Sequence, residues 1–536
     1  MKKFFIFLLL FLFACFLFVY FLFMYSKAPQ KPEGATIIMA SIGEPSYLNP
    51  ILASDSASFD IIDKVFNGLL KYDKDLNLVG DLAQNWKVSP DGLKITFFLK
   101  KNVFWHDGMP FTSKDVLFTY KALIDPNVLS PHSADFKRVS VVKIPDDFTV
   151  EVFYKEPFAP ALESWGTSII PEHLYKGTDI NTNPHNKKPV GTGPYRFVRW
   201  ISGDRIILEK NENYFEEMGN ITRIVYRIIP DESVQFLELK KQNIDMTGLT
   251  PYQYKFQTND PAFNKTFQKF KYPNFSYTYL GFNLKKELFK DKKIRQAIAC
   301  AINKKEIIDA VLFGLGRPAK GPYPPISWAY DENLKDFEYN PQKSKEILAK
   351  LGWKDKDGDG IIEKNGKKFS FTILTNQGNK MREETATIIQ AQLKKIGIEV
   401  KIRLLEWASF IHQYIDTRNF EAVILGWSLS VDPDQFSLWH SSEDRPGGFN
   451  FIGYKNPEVD RLLEEGRRTF DIEKRKKIYK KFQQILVEDE PYVFLYVLDS
   501  LPVVHRRFHG IEVGKAGITY NFIKWYVPEN LIKYKL

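Results

Sequence analysis

The chain has 536 residues, of which 44% are apolar and 26% charged, with a formal charge of +10. That length suggests about two to four domains with ample core. The lysines are scattered and no long basic block stands beside an aromatic ladder, so the charge reads as a solvated surface rather than a nucleic-acid track. Only two cysteines occur. Cys15 lies inside an N-terminal apolar run and Cys300 within the helical pattern IRQAIACAI, where it reads as a small core residue, so no internal disulfide is expected.

After Lys2 and Lys3 the apolar run extends from Phe4 to Tyr25 without a break. At about 1.5 Å per residue it reaches about 33 Å, enough to cross a hydrocarbon core of about 30 Å. The lysines before it favour an N-terminus inside and the remainder outside. The run is long for a cleaved signal, and Pro29 spoils the site at Ser26-Lys27-Ala28. Leu12-Phe13-Ala14-Cys15 loosely resembles a lipoprotein cleavage box. A retained anchor over residues 1–26, lipidation at Cys15 and cleavage all place the body outside the cytoplasm.

Beyond the linker Lys27 to Gly34 a strand is expected at Thr36 to Ala40, a turn at Ser46 to Pro50 and a helix from Asp60 to Leu70. Leu82 to Phe111 reads as a hairpin turning at Pro90-Asp91-Gly92. Thr112 to Asp115 has capping-box spacing before a helix through Lys121. Asn181 to Lys188 is a polar boundary; Pro189 to Trp200 begins another β-rich section, with strands near Arg205 to Lys210 and Ile221 to Ile229. A helix at Ser233 to Lys241, a strand at Tyr277 to Asn283 and one long amphipathic helix from Lys292 to Phe313 come next. Then follow a helix from Pro341 to Leu351, a strand from Phe369 to Thr375, a helix from Arg382 to Lys395 and a strand from Ile398 to Leu404. Helices at Pro457 to Arg468 and Ile472 to Glu488 precede a tail of strand character from Val493 to Leu536. Mixed β sections flanking an α/β section argue for several interleaved lobes.

One stretch stands out for chemistry. In EAVILGWSLSVDPDQF, Ala422 to Leu425 form a short apolar run of buried-strand type. Gly426, Trp427, Ser428, Ser430, Asp432 and Asp434 follow in a polar loop. One large aromatic beside two carboxylates suits a small-ligand wall, the indole giving apolar contact and the carboxylates binding donors such as an amine. The plain alternative is a strand-end turn set by Pro433 and capped by Asp434.

Catalytic patterns fail where they are tried. Gly426-Trp427-Ser428-Leu429-Ser430 lacks the final Gly of a nucleophile elbow. Pro194 removes an amide from Gly191-Thr192-Gly193, and there is no HExxH, CxxC or Walker motif. The chain therefore reads as a non-enzyme. Asp355, Asp357 and Asp359, with Gly360 sixth, match the first places of a calcium loop, but Gly366 stands where the bidentate Glu belongs and Glu363 stands ninth. A plain acidic turn is the other reading, and no other cofactor is expected.

The ordered set DLAQNWKVSPDGLKITFFLKKNVFWHDGMPFTSKDV, GTGPYRFVRWISGDRIILEKNENYF, YLGFNLKKELFKDKKIRQAIACAINKKEII, NPEVDRLLEE and EDEPY resembles the family 5 solute-binding proteins of ABC importers, the oligopeptide- and dipeptide-binding group. The match runs from about Ile37 to Phe508. The resemblance implies an α/β, bilobed periplasmic-binding-protein fold (type II, large peptide-binding class) that closes on its ligand by hinge motion, with an additional domain in the first lobe. On that basis residues 35–55, 186–275 and 499–536 form lobe I, 56–185 the additional α+β domain and 276–498 lobe II.

In peptide-binding relatives a Gly-Trp strand end meets the peptide backbone and an Asp three residues past the Trp pairs with its α-amino group. Gly426 and Trp427 match, Ser430 occupies the Asp position, and Asp432 reaches an amine only if the loop is shifted. Asn376 falls where dipeptide binders place an Arg for the ligand carboxylate, with Arg382 nearby. Tyr47, Trp407 and Asn450 are further ligand candidates. The resemblance implies a monomeric receptor without nucleic-acid partners. It would take up peptides, rather longer than dipeptides, for delivery to a membrane permease. A nickel-chelate, haem or other small-solute receptor of the same fold is the alternative.

Overall fold

The computed structural model describes residues 34–515 and 517–533. The expected N-terminal anchor and Cys15 lie outside the described residues, and among these no helix is long and apolar enough to cross a membrane. Three sheets organise the chain. A seven-stranded sheet has the order Phe267–Lys269, Pro502–His505, Met246–Gly248, Ala35–Ser41, Ile221–Ile228, Arg205–Lys210, Tyr195–Ile201. A six-stranded sheet runs Gly316–Pro318, Tyr492–Leu498, Ser276–Phe282, Ala422–Ser428, Ser370–Asn376, Glu399–Leu405. A four-stranded antiparallel sheet, Ala83–Val88, Lys94–Leu99, Thr149–Tyr154 and Val139–Asp146, stands apart.

The six-stranded sheet is covered on both faces, which explains its continuous apolar runs. Successive residues of Ala422 to Leu425 alternate between two cores: Val423 and Leu425 join one with Tyr279, Trp439 and Phe482, while Ala422 and Ile424 join the other with Phe282, Ile298 and Leu393. The chain passes between the two large sheets twice, at 270–275 and 499–501. These crossovers are tied to each other, because the amides of Tyr272 and Ser500 each donate to the other residue's carbonyl, at 3.3 and 2.9 Å.

Local signals act as their chemistry requires. The hairpin turns at Gly92, whose φ of 71° suits glycine, and Thr112 and Asp115 form the capping box of helix Ser113–Ile124. Three expectations need correction. The helix expected from Asp60 occupies Ser56–Val65, started by the Asp55 cap, and strand Leu70–Tyr72 follows. The long helix expected from Lys292 breaks into Lys292–Ala301 and Lys304–Val311, because the Asn303 side chain accepts from the Glu306 amide and caps a new helix. The tail keeps strand form only at Tyr492–Leu498 and Pro502–His505; the described residues beyond are turns and short 3₁₀ pieces.

Candidate ligand cavity

Strand Ala422–Ser428 pairs along its whole length with Ser276–Phe282, but on its other side Ser370–Asn376 reaches only Ala422 and Val423. The Thr375 hydroxyl donates to the Ile424 carbonyl at 2.9 Å and ends that edge. Backbone groups alternate sides along a strand, so Gly426 presents its N–H and C=O to the edge left without a strand partner among the described residues. A Cβ on Gly426 would stand 3.1 Å from the Tyr277 carbonyl and 3.3 Å from Nη2 of Arg382. The glycine thus lets the guanidinium lie against the strand. Trp427 packs edge-on to Phe449 at 5.5 Å, and its Nε1 donates to the Tyr492 hydroxyl at 3.3 Å.

This edge opens on a cavity of about 920 Å³, toward the upper end of the roughly 300–1,000 Å³ usual for ligand sites. Gly426, Trp427, Ser428, Ser430, Asp432 and Arg382 form its wall on one side. Tyr47, Asp55, Phe59, His132 and Glu163 face them from the other. An adjoining space of about 200 Å³ shares Tyr277, Thr278 and Arg382 and continues to Tyr496 and Asp499 beside the crossovers.

The cavity is electrically uneven. Burial pushes the Arg382 guanidinium below its ordinary pKa, its Nη1 donates to Asn376 Oδ1 at 2.7 Å, and no carboxylate among the described residues lies within 4.0 Å of it. On the opposing wall burial, then the Asp432 charge, raise Glu163 to about 7. Its Oε2 accepts the Asp432 amide at 2.9 Å. Asp135 is raised to about 6, mainly by burial, against the pull of Arg467.

The sequence candidates sort as follows. Gly426, Trp427, Ser428, Ser430, Asp432, Tyr47 and Trp407 all line the cavity. Trp407 is also fixed across the lobes, its Nε1 donating to Asp55 Oδ1 at 3.1 Å. Asp432 does not wait for an amine: both of its oxygens accept from Arg475, at 2.8 and 2.7 Å, and Arg475 also donates to the Tyr479 hydroxyl at 2.9 Å. Asn376 is behind the wall, 1% exposed, holding Arg382 in place of meeting a ligand itself. Asn450 is fully buried away from the cavity and shapes a turn, donating to the His440 and Tyr454 carbonyls and accepting the Tyr454 amide.

The acidic loop also differs from its expectation. Asp355, Asp357 and Glu363 bring carboxylate oxygens within 4.8 Å of one another. Asp359 pairs with Lys368, which also lies 3.6 Å from Asp357, and the Asp355 carboxylate accepts the amides of Gly358 and Gly360.

Residues the sequence did not single out include Glu163, His132, Tyr277 and Tyr279. The last two are 2% and 0% exposed, and the Tyr277 hydroxyl has no hydrogen-bond partner among the described residues. His132 places Nε2 2.9 Å from the Ala53 carbonyl, between Phe59 and Phe449.

Two sheet-centred lobes closed over a cavity, with one strand edge presented to it, define a two-lobed solute receptor. The chain belongs to the bacterial extracellular solute-binding proteins, family 5, whose model (its middle part) matches residues 77–449. It is 36% identical to the oligopeptide-binding protein AppA of Bacillus subtilis over 97% of both chains. The structure of that protein in complex with a nonapeptide superposes with a TM-score of 0.88, covering 93% of this chain and 99% of the other. NikZ of Campylobacter jejuni, solved with Ni(L-His), is 31% identical with a TM-score of 0.83 over 92% of this chain and 99% of its own. DppA of Helicobacter pylori, solved with the peptide STSA, is 28% identical with the same TM-score of 0.83, over 92% and 98%.

Proposed function

We propose that this chain is the receptor of an ABC importer, capturing peptides outside the cytoplasmic membrane and delivering them to the permease. The observation that carries this is the unpaired edge at Gly426, opening on a cavity near the top of the usual size range. An extended peptide can add to such an edge through main-chain hydrogen bonds, which gives affinity with little dependence on side-chain sequence. Likeness to a protein solved with a nonapeptide supports ligands longer than dipeptides. The Arg382 guanidinium provides a positive pole for a carboxylate, and the Glu163 wall a negative one. The N-terminal run from Phe4 to Tyr25 would tether a monomeric receptor beside its permease, and capture itself needs no cofactor. The division into 35–55 with 186–275 and 499–536, 56–185, and 276–498 is retained as the working domain scheme, because the strands of the three sheets fall within it.

A thermal-shift screen with mixed peptides of two to ten residues tests the reading. Ligand at a hundred times its dissociation constant adds about 2.7 kcal/mol of stability. Peptide stabilisation reduced by Trp427→Ala supports it. Silence toward all peptides, with a shift on nickel–histidine or haem, replaces it by the small-solute alternative.

A further inference from the structure

The lobe of the seven-stranded sheet meets the six-stranded lobe through scattered polar contacts. The amides of Glu232 and Lys380 bond Gly378 and Glu232 beside the crossovers, Lys380 lies 3.7 Å from Asp231, Lys255 bonds the Phe313 carbonyl at 2.9 Å, and Trp407 bonds Asp55. The unit built on the four-stranded sheet concentrates its contacts in one connected network. Its Arg138 and Glu156 alternate in a ring of charges with Glu464 and Arg468 of the other lobe. Arg138 lies 2.7 Å from Glu156 and 2.8 Å from Glu464, and Arg468 lies 2.7 Å from Glu156 and 3.0 Å from Glu464.

Inward from this ring, Arg467 is 1% exposed, bridges Asp135 at 2.5 Å and Asp434 at 2.6 Å, and lies over the Phe158 and Phe436 rings. Two backbone amides seal the contact: Ala159 donates to the Arg467 carbonyl at 2.7 Å, and Asp432 donates to Glu163 at 2.9 Å. Arg445 adds bonds to the Ser133 hydroxyl at 2.7 Å and the Ser130 carbonyl at 3.1 Å.

We propose that the additional domain is a clasp: it holds the six-stranded lobe closed over the cavity before any ligand contributes a contact. An isolated exposed ion pair is worth little, but a network of charges locked to a buried guanidinium and two cross-lobe amides is a different case. Asp135, Glu163, Asp432 and Asp434 of this contact also line the cavity, so the network closes it directly.

The test uses the full chain without ligand and reads hydrogen exchange at the Ala159 and Asp432 amides, which only the closed contact protects. Glu156→Arg sets like charges against each other across the interface. Glu156→Arg with Arg468→Glu restores an attractive pair there, leaving the Arg138–Glu464 pair untouched. The single variant should speed exchange at both amides by about tenfold, equivalent to about 1.4 kcal/mol, with strand Tyr492–Leu498 unchanged. The double variant should return to within about twofold of the parent. Parent and single variant exchanging alike, a double variant as fast as the single, or acceleration that includes Tyr492–Leu498 each overturns the clasp. None of these readouts depends on peptides being the ligand.

Discussion

Replacing Asp432 by Asn separates two roles for the same carboxylate. The Asp432 side chain is 16% exposed and that of Arg475 5%, and the pair is bidentate. Among the described residues Arg475 has, besides this pair, the Tyr479 hydroxyl and positions over the Trp328 and Tyr479 rings at 5.2 and 5.3 Å. Removing the negative charge leaves a buried guanidinium uncompensated, a loss of about 3–5 kcal/mol; the Asn oxygen still accepts one bond, which places the expectation near 3 kcal/mol. Urea unfolding followed by tryptophan fluorescence measures it, since Trp328 and Trp427 both belong to the core around this pair. Asp432→Asn with Arg475→Met removes both charges and should recover most of the loss. An Asp432→Asn protein as stable as the parent but unable to bind a free peptide amine would refute the ion-pair assignment and return this residue to the ligand.

Gly426→Ala should weaken peptide affinity by about tenfold or more with a stability change under about 1.5 kcal/mol, because the methyl presses on Arg382 and the Tyr277 carbonyl; calorimetric titration against unfolding midpoints checks both parts. Asn450→Ala should cost about 1–3 kcal/mol by stranding the buried Tyr454 amide, yet leave the order of peptide preference unchanged. Glu490 is 1% exposed and neither carboxylate oxygen has a hydrogen-bond partner among the described residues. Burial, then the Asp336 charge, hold its pKa well above the ordinary range. A carboxyl raised on folding contributes stability below its unfolded pKa and loses it as pH rises toward the folded value. The parent should therefore weaken from pH 5 to pH 8, and Glu490→Gln should flatten that slope; equal slopes in urea titrations would dismiss the idea.

Much of the fold was legible because its signals are local. Apolar runs bounded by Gly and Asp mark the strands, and the Thr112 to Asp115 capping box and the Asn456-Pro457 start mark helix ends within a residue or two. Asn303 shows the limit: a cap inside a continuous amphipathic pattern looks like one more polar residue until the chain bends there. The cavity wall at 426–432 was legible for the same local reason, and its opposite wall only at Tyr47, since Glu163 and His132 meet it through tertiary closure alone. One signal was overlooked. In IEKRKKIYKKFQQILVED, Arg475 falls on the buried stripe with Ile478, Tyr479, Phe482 and Leu486, and Arg467 shares a stripe with Val459, Leu462, Leu463 and Gly466. A guanidinium on an apolar stripe requires buried acceptors, as Arg295 finds in backbone carbonyls, and Asp432 and Asp434 were the acidic residues left over nearby.

The mutual hydrogen bonds of Tyr272 and Ser500 make the two crossovers one ribbon. A ribbon two strands wide bends readily out of its plane but resists twisting and sideways slip, since either would break the bonds that join its strands. Relative motion of the lobes is thereby reduced to a single coordinate. A surface that contacts either lobe far from the cavity can then sense, from one angle alone, whether the lobes stand open or closed.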